Sequence, residues 1–377
     1  MIRGKPHIVI DDKIPFLEGI LEPFARIQYI AGNKITRSHV MNADALLIRT
    51  RTKIGPELLS GTSVKFVATA TTGHDHIDKD FCLKNGIEWA NAPGCNAESV
   101  NQYILAALSH LSMLHQFQFR KKTIGIIGVG NVGRKVARSA KLLGMKVLLN
   151  DPPRERVEGI SKFVSLQQIK EDADIISFHV PLTEDGQYKT KDLFNDEFLN
   201  SIQQGTIVLN SSRGEVCNES SLLKGLKTGT ILSTALDVWH HEPEINPELL
   251  KISDISTPHI AGYSADGKAN GTAMSVHALS RHFSLGLDNW YPSEIPLPEN
   301  KIIRSNFEED PESQIKSIIL STYPIAVDTN LLKSNPDHFE ILRGSYRIRR
   351  EFKAHIASCS DSQAGKNILG SLGFKLS

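Results

Sequence analysis

The stretch that decides the fold is Gly128-Val129-Gly130-Asn131-Val132-Gly133, a glycine-rich turn. The apolar, β-branched run Thr123–Ile127 before it predicts a buried strand. Residues 135–143 after it have helical periodicity, and residues 146–150 predict a second strand that leads into Asp151. Strand, turn, helix, strand and acid in this order form the fingerprint of a dinucleotide-binding fold. A lone glycine motif would be weak evidence, because glycine-rich turns are common.

Each part of this fingerprint has a physical task. Gly128 permits the tight turn, Gly130 lets the backbone approach a pyrophosphate, and Gly133 lets the helix pack on the strand. The N-terminus of the helix faces the negative charge. Asp151 can accept hydrogen bonds from both ribose hydroxyls and would repel a 2′-phosphate, which favours NAD over NADP as the cofactor. The alternative is a strand–helix turn that binds no ligand.

The composition narrows the class of protein. A chain of 377 residues is too long for one typical core, and its 40% hydrophobic and 23% charged residues are ordinary for a globular protein. A formal net charge of +1 argues against nucleic acid as a partner. No apolar run is long enough to span a membrane, and we expect no signal peptide. The four cysteines lie far apart, so we expect free thiols and a cytoplasmic location.

Two histidine-containing stretches carry residue types that bind metals. They are His74-Asp75-His76-Ile77-Asp78 and His240-His241. A zinc site usually needs three or four ligands at defined spacings, and neither stretch is accompanied by a second set of ligands. We therefore expect no metal site.

Strands and helices alternate along most of the chain. Besides the two strands already named, strands are predicted at residues 7–10, 27–30, 45–48, 65–69, 87–90, 173–178, 206–210, 231–236 and 254–257. Helices are predicted at residues 15–24, 77–85, 97–115 and 265–285. This alternation predicts an α/β fold with two doubly wound, Rossmann-like parallel sheets.

The order of these elements also predicts the domains. Residues 1–96, completed by 260–286, would form a substrate (lid) domain, and residues 97–259 the NAD-binding Rossmann domain. Three prolines between residues 292 and 298 mark a linker. Residues 287–377 would form a smaller α/β C-terminal domain.

Three polar side chains follow the carboxyl ends of successive predicted strands, where ligands of doubly wound folds bind. They are Arg213, Glu242 and His259. A histidine, with an ordinary pKa of about 6.5, suits transfer of a hydroxyl proton at neutral pH, and a carboxylate beside it favours its imidazolium form. A guanidinium can bind a substrate carboxylate through two parallel hydrogen bonds. Each residue alone is more often structural, but their joint occurrence points to catalysis.

At these residues the chain resembles the D-isomer-specific 2-hydroxyacid dehydrogenases, in which an arginine, a glutamate and a histidine occupy such strand ends. The resemblance covers nearly the whole chain and is carried by residues 66–78, 92–97, 125–134, 236–239, 259–263 and 346–352. It implies NAD-dependent oxidation of the C2 hydroxyl of a small phosphorylated 2-hydroxy acid.

The resemblance also implies roles for individual residues. His259 would be the general acid/base, Glu242 its partner, and Arg213 the clamp for the substrate carboxylate. The cofactor would contact Gly128, Gly130, Asn131, Val132, Gly133, Asp151, Val180, Ser211, Ser212, Arg213, Asp237 and Gly262. The substrate would contact Arg49, Thr50, Thr71 and Tyr263. Val180 stands where the family usually has threonine, so we expect it to act through its backbone.

The C-terminal region leaves several alternatives open. Residues 301–377 resemble a dimerisation domain, which implies a homodimer. The run Arg347-Ile348-Arg349-Arg350 is interpreted as a solvated or interface helix face, although one of these arginines could reach the substrate phosphate of a neighbouring subunit. The alternative enzymes are a D-3-phosphoglycerate dehydrogenase or another 2-hydroxyacid dehydrogenase. The alternative from another class of function is an NAD-sensing scaffold of the corepressor type.

Overall fold

The computed structural model describes residues 4–159, 162–305, 310–359 and 363–377. By its internal contacts the chain divides into two compact units. The first unit comprises Met1–Asn96 and Ser264–Pro296, and the second comprises Ala97–Tyr263 and Leu297–Ser377. Each unit has a parallel sheet of its own, as the alternation of strands and helices predicts.

The sheet of the first unit has five strands in the order β2-β1-β3-β4-β5. Their bounds are β1 His7–Asp11, β2 Arg26–Ile30, β3 Ala45–Ile48, β4 Phe66–Thr69 and β5 Glu88–Ala90. Alternate side chains of the strands enter two hydrophobic clusters, one on each face of the sheet. Helices on both faces cover them, and these are α1 Arg37–Val40, α2 Pro56–Leu59, α3 Lys79–Lys84 and α11 Ala265–Phe283.

The helix predicted at residues 15–24 is wrong. The structure has a series of turns there, with Phe16 at φ 65° and Gly19 at φ 81°. An α-helix requires negative φ throughout, so neither residue can belong to one. Ile14, Leu17 and Leu21 of these turns nevertheless enter the hydrophobic core, which explains the apolar spacing that suggested a helix.

The sheet of the second unit has six strands in the order β11-β10-β9-β8-β6-β7. Their bounds are β6 Thr123–Ile127, β7 Lys146–Asn150, β8 Ile175–Phe178, β9 Thr206–Asn210, β10 Ile231–Leu236 and β11 Ile255–Ser256. Its helices are α4 Ala97–Leu114, α5 Gly133–Leu142, α6 Pro152–Glu158, α7 Leu166–Asp172, α8 Asp196–Leu199, α9 Glu219–Thr228 and α10 Pro247–Ile252. The strand order reverses between β6 and β8, and nucleotides bind at the carboxyl edge beside such a reversal.

The C-terminal region is mixed α/β, as predicted. A parallel three-stranded sheet is made by β12 Ile302–Arg304, β13 Ile356–Ser358 and β14 Lys375–Leu376. Its helices are α12 Pro311–Thr322, α13 Ile325–Ser334, α14 Phe339–Gly344 and α15 Gln363–Leu372. Ile318 and Ile319 of α12 share one hydrophobic cluster with Ile104 and Leu108 of α4.

This shared core explains why the contact-defined units differ from the predicted domains. Residues 297–377 pack with the second unit instead of forming a unit of their own, residues 287–296 join the first unit, and residues 260–263 stay with the second. The function of residues 287–377 as a dimerisation domain stays a prediction. The predicted strands are all present, with bounds that shift by at most two residues.

Two further expectations concern the cysteines and membrane-spanning helices. The four cysteines are free thiols, as predicted, and all four are buried. Among the described helices, none is both long and apolar enough to cross a lipid bilayer.

Candidate active site

The glycine turn lies at the carboxyl end of β6, where Gly128 donates its N–H to Asn150 O at 2.9 Å. Gly128 has φ +86°, and a Cβ there would lie 2.6 Å from His179 O. A Cβ on Gly133 would lie 1.9 Å from Gly128 O. A Cβ on Gly130 would meet no described atom within 4 Å. The fold itself therefore requires glycine at 128 and 133, whereas the space beside Gly130 fits the close approach of a pyrophosphate.

Asp151 directly follows β7 and lies beside this turn. Its Oδ2 accepts the Val129 N–H at 2.8 Å, and its Oδ1 accepts the Arg154 N–H at 3.1 Å as the N-cap of α6. An ionised carboxylate has further lone pairs for hydroxyl donors, so this position suits the two ribose hydroxyls of NAD. Arg154 donates to Val129 O and forms an ion pair with Glu158 at 2.6 Å. Arg154 was not among the residues predicted from the sequence, although its place three residues after the acid was a usable signal.

The residues expected on the nicotinamide side lie on neighbouring loops of the same unit. The side chain of Val180 lies against Gly128, and Ser212 Oγ donates to Asn210 Oδ1 at 2.8 Å. Ser211 Oγ is buried, and among the described residues it has no hydrogen-bond partner. A buried hydroxyl in this state suits a ligand that supplies the missing partner. The cofactor-contact roles of these residues stay predictions.

The strands that carry the three predicted catalytic residues end in register. Asn210 at the end of β9 pairs with Leu236 of β10, which in turn pairs with Ser256 of β11. A Cβ on Gly214 would lie 2.1 Å from the carbonyl of Trp239, so the loop of Arg213 packs directly against the loop of Glu242. The parallel register therefore places all three loops at one edge of the sheet.

His259 and Glu242 form a hydrogen-bonded pair at this edge. His259 Nδ1 lies 2.8 Å from Glu242 Oε2, while Glu242 Oε1 accepts the Trp239 N–H at 3.0 Å. Burial would raise the pKa of the Glu242 carboxyl, but the hydrogen bond and charge of His259, the Trp239 N–H and the charge of Arg343 together lower it below its ordinary value. Glu242 is therefore an ionised partner that fixes the orientation of the imidazole ring.

Asp237 organises the loop that carries His259. Its buried carboxylate accepts the Thr257 hydroxyl and the Ile260 N–H at 2.7 Å each, and the Ala261 N–H at 2.8 Å. His259 lies between these contacts with φ 56°, a left-handed conformation that non-glycine residues seldom adopt. Contact of Asp237 with the cofactor was predicted from the sequence, and that role stays a prediction. The hold of this carboxylate on the backbone around His259 was not predicted.

Arg213 lies on the loop that follows β9, next to the pair. Its Nη1 donates to Ser212 O at 2.7 Å, and its own carbonyl accepts from Asn210 Nδ2 at 2.8 Å. The structure thus brings Glu242 and His259 into direct contact and places Arg213 on the adjoining loop. Its binding of a substrate carboxylate stays a prediction.

The candidates for substrate contact in the first unit follow β3 and β4. Arg49 binds the fully buried Asp11 through Nε and Nη2, both at 3.1 Å. Thr50 is exposed, and Thr71 Oγ1 donates to Gly73 O at 2.8 Å. Asp11 at the end of β1 fixes the guanidinium of Arg49, a role that was not predicted from the sequence. The substrate contacts of Arg49, Thr50 and Thr71 stay predictions.

In the second unit, Tyr263 is held by the C-terminal region. Its hydroxyl accepts a hydrogen bond from Arg343 Nε at 3.1 Å, and the guanidinium lies 5.8 Å from the centre of its ring. Arg343 also lowers the pKa of Glu242, as described above. No motif drew attention to Arg343, because Tyr263 and Glu242 lie 80 residues or more away from it in the sequence.

Comparison with known proteins relates this geometry to a family. Residues 100–261 match the family described as "D-isomer specific 2-hydroxyacid dehydrogenase, NAD binding domain". The erythronate-4-phosphate dehydrogenase of Bacteroides thetaiotaomicron is 50% identical over 92% of this chain and 98% of its own length. The enzymes of that name from Porphyromonas gingivalis and Yersinia enterocolitica are each 38% identical, over 96% and 97% of this chain. The chain belongs to the erythronate-4-phosphate dehydrogenase family.

Solved structures support the fold of this family member. The D-lactate dehydrogenase of Aquifex aeolicus, complexed with NAD and lactic acid, aligns with a TM-score of 0.63 at 24% identity, over 77% of this chain and all of its own. The NAD-bound 3-phosphoglycerate dehydrogenase of Entamoeba histolytica aligns with a TM-score of 0.61 at 25% identity, over 78% of this chain and all of its own.

Membership of the erythronate-4-phosphate dehydrogenase family confirms several predictions made from the sequence. The chain is an α/β, NAD-dependent dehydrogenase of the 2-hydroxyacid class. The similarity to the erythronate-4-phosphate dehydrogenases includes the C-terminal region, because it extends over at least 92% of the chain.

A substitution at Gly130 tests the assignment of the glycine turn to the cofactor. The Gly130→Ala variant is expected to keep its melting temperature, because the added methyl group meets no described atom. Its affinity for NAD is expected to fall about tenfold, because the methyl group occupies the approach of the pyrophosphate. Fluorescence titration with NAD measures this loss. The matched Gly133→Ala variant should also lose thermal stability, and a Gly130→Ala variant with wild-type NAD affinity would contradict the assignment.

The lowered pKa of Glu242 predicts a pH-dependent contribution to stability. An acid whose folded-state pKa is lowered stabilises the fold above its unfolded pKa, and this stabilisation disappears as the pH falls through the lowered value. The Glu242→Gln variant should therefore melt below the wild type at pH 7, and the difference should shrink below about pH 4.5. Thermal unfolding at a series of pH values measures it. The exposed Glu244→Gln variant is the control, and a pH-independent difference for Glu242→Gln would contradict the prediction.

Proposed function

We propose that this chain oxidises the C2 hydroxyl of 4-phospho-D-erythronate with NAD, yielding 3-hydroxy-2-oxo-4-phosphooxybutanoate as a step of pyridoxal 5′-phosphate biosynthesis in the cytoplasm. The observation that carries the proposal is the 2.8 Å hydrogen bond between His259 and Glu242 at the carboxyl edge of the nucleotide-binding sheet. The choice of substrate is supported by relatives named erythronate-4-phosphate dehydrogenase. They are 38–50% identical to this chain, and their similarity includes the C-terminal region.

His259 is the proposed acceptor of the proton on the substrate hydroxyl. Its Nδ1 is engaged by Glu242, so Nε2 receives the proton, and the carboxylate of Glu242 stabilises the resulting imidazolium. Bound NAD supplies the acceptor for the hydride that leaves C2. Arg213 is the proposed clamp for the substrate carboxylate, where two parallel hydrogen bonds would orient C2.

The shape of the glycine turn indicates which residues of the chain would hold the cofactor. Asp151 would accept the ribose hydroxyls, and the open side of Gly130 would admit the pyrophosphate. Ser211, Ser212 and Asp237 would contribute polar groups nearer to His259. Residues of the turn and of these loops would thus hold the cofactor at the same edge of the sheet as His259.

A homodimer is the proposed assembly. Support comes from exposed apolar side chains on the C-terminal region, where Val327, Leu331, Ile341 and Ile348 are 44–62% exposed. Exposed large apolar groups in one region are typical of surfaces that associate. A second copy of the chain, docked through residues 287–377, would cover them.

A panel of 2-hydroxy acids tests the substrate. With NAD and the purified chain, 4-phospho-D-erythronate should give the highest kcat/KM, about a hundredfold above 3-phospho-D-glycerate and D-lactate, measured by NADH absorbance. A higher kcat/KM for 3-phospho-D-glycerate would instead favour the alternative enzyme. If no acid yields NADH, the NAD-sensing scaffold becomes the better interpretation.

Two variants test the proposed catalytic roles. His259→Asn should lower kcat about a hundredfold or more while the Kd for NAD changes less than about twofold, because the ring acts on the substrate proton. Arg213→Ala should lower kcat/KM by a similar factor, partly through KM. The exposed His338→Asn variant is the control for a histidine substitution as such. Wild-type turnover by His259→Asn would exclude it as the acid/base.

A further inference from the structure

Arg349 is a buried arginine in a segment without regular secondary structure. It is only 3% exposed, although the sequence Arg347-Ile348-Arg349-Arg350 suggested a solvated or interface helix face. That interpretation is wrong for Arg349, whose side chain is buried inside the second unit. There its Nη2 donates to two backbone carbonyls, Ile260 O at 3.2 Å and Ala261 O. These two residues directly follow His259.

The same two residues are bound by Asp237 through their N–H groups. The peptide bond between Ile260 and Ala261 is therefore held at both ends, its N–H by the carboxylate of Asp237 and its carbonyl by the guanidinium of Arg349. Charge-assisted hydrogen bonds of this kind are stronger than those between neutral groups. Between these two contacts, the backbone that follows His259 has little freedom to rotate.

The guanidinium of Arg349 uses only part of its hydrogen-bonding capacity. Its guanidinium lies 4.4 Å from the ring centre of Tyr323 and 5.8 Å from that of Tyr346. Its Nε and Nη1 are buried, and within the described part of the chain they have no hydrogen-bond partner. A buried cation with unused donors costs free energy, and an apolar side chain would fill this space at lower cost. A functional constraint explains its presence better than stability does.

We propose that Arg349 is a positioning residue for catalysis: it acts from the C-terminal region through the carbonyls of Ile260 and Ala261 to hold His259 in its left-handed conformation beside Glu242. The inference rests on the proposed role of His259 as the acid/base. It gives residues 297–377 a part in the active site of their own chain. Loss of Arg349 would leave the imidazole present but poorly aligned with the substrate hydroxyl, so kcat falls while substrate binding persists.

The test compares Arg349→Met with Lys333→Met in the full-length chain. Lys333 is a matched control, because it also reaches from the C-terminal region to backbone carbonyls of the second unit, those of Lys251 and Ser253. Arg349→Met should lower kcat about tenfold with less than about a threefold change in KM for the acid, whereas Lys333→Met should keep kcat within about twofold. The solvent deuterium isotope effect on kcat should rise only in Arg349→Met, because proton transfer to His259 becomes slower.

The outcomes separate this inference from the proposed function. If His259→Asn keeps wild-type turnover, the acid/base assignment fails and the inference fails with it. If His259→Asn loses turnover while Arg349→Met keeps wild-type kcat, only the positioning role is overturned. Equal losses of kcat in Arg349→Met and Lys333→Met would show a general effect of the C-terminal region and would also overturn it. Should Arg349→Met not fold, Arg349→Lys decides, with an expected loss of kcat of about threefold and wild-type kcat as the contrary result.

Discussion

The buried carboxylate of Asp237 is the constraint on which the candidate active site depends. It gathers a hydroxyl and two backbone N–H groups from the segment after β11, and so determines the path of the chain through His259. A left-handed histidine is unfavourable by about 1–2 kcal/mol. Several hydrogen bonds to one buried carboxyl group can offset a cost of this size. The strained residue is thus maintained by its neighbours, as is common at functional sites.

The pKa values of the two carboxyl groups around His259, those of Asp237 and Glu242, are shifted in opposite directions. The two groups are therefore suited to different roles. Burial raises the pKa of Asp237, although the charge of His259 and the hydrogen bonds from Thr257 and the loop N–H groups oppose it. The pKa of Glu242 is lowered, because its contacts with His259 and the Trp239 N–H outweigh burial. Glu242 is therefore suited to stabilise a charged imidazole, whereas Asp237 is suited to hold the backbone. Pairs of acids separated in this way are characteristic of catalytic sites.

The sequence alone was sufficient to predict the elements that depend on neighbouring residues. The strands and the long helices follow from apolar spacing, and the glycine turn follows from steric needs that the structure explains at Gly128 and Gly133. Predictions from the sequence were wrong where contacts between residues far apart in the chain determine the structure. The segment 15–24 has helical spacing but contains Phe16 and Gly19 at positive φ, and Arg349 has the sequence context of a surface residue but binds carbonyls 88 and 89 positions away.

The C-terminal region illustrates why similarity of fold alone does not determine the substrate. The solved dehydrogenases align over about three quarters of this chain, whereas the erythronate-4-phosphate dehydrogenases match at least 92% of it. In this chain the region shares the core of the nucleotide-binding unit, and Arg343 and Arg349 reach Tyr263 and the loop after His259 from it. A change in a region packed in this way would also move Tyr263 and the loop after His259. The C-terminal region therefore bears on the candidate active site as well as on the proposed assembly.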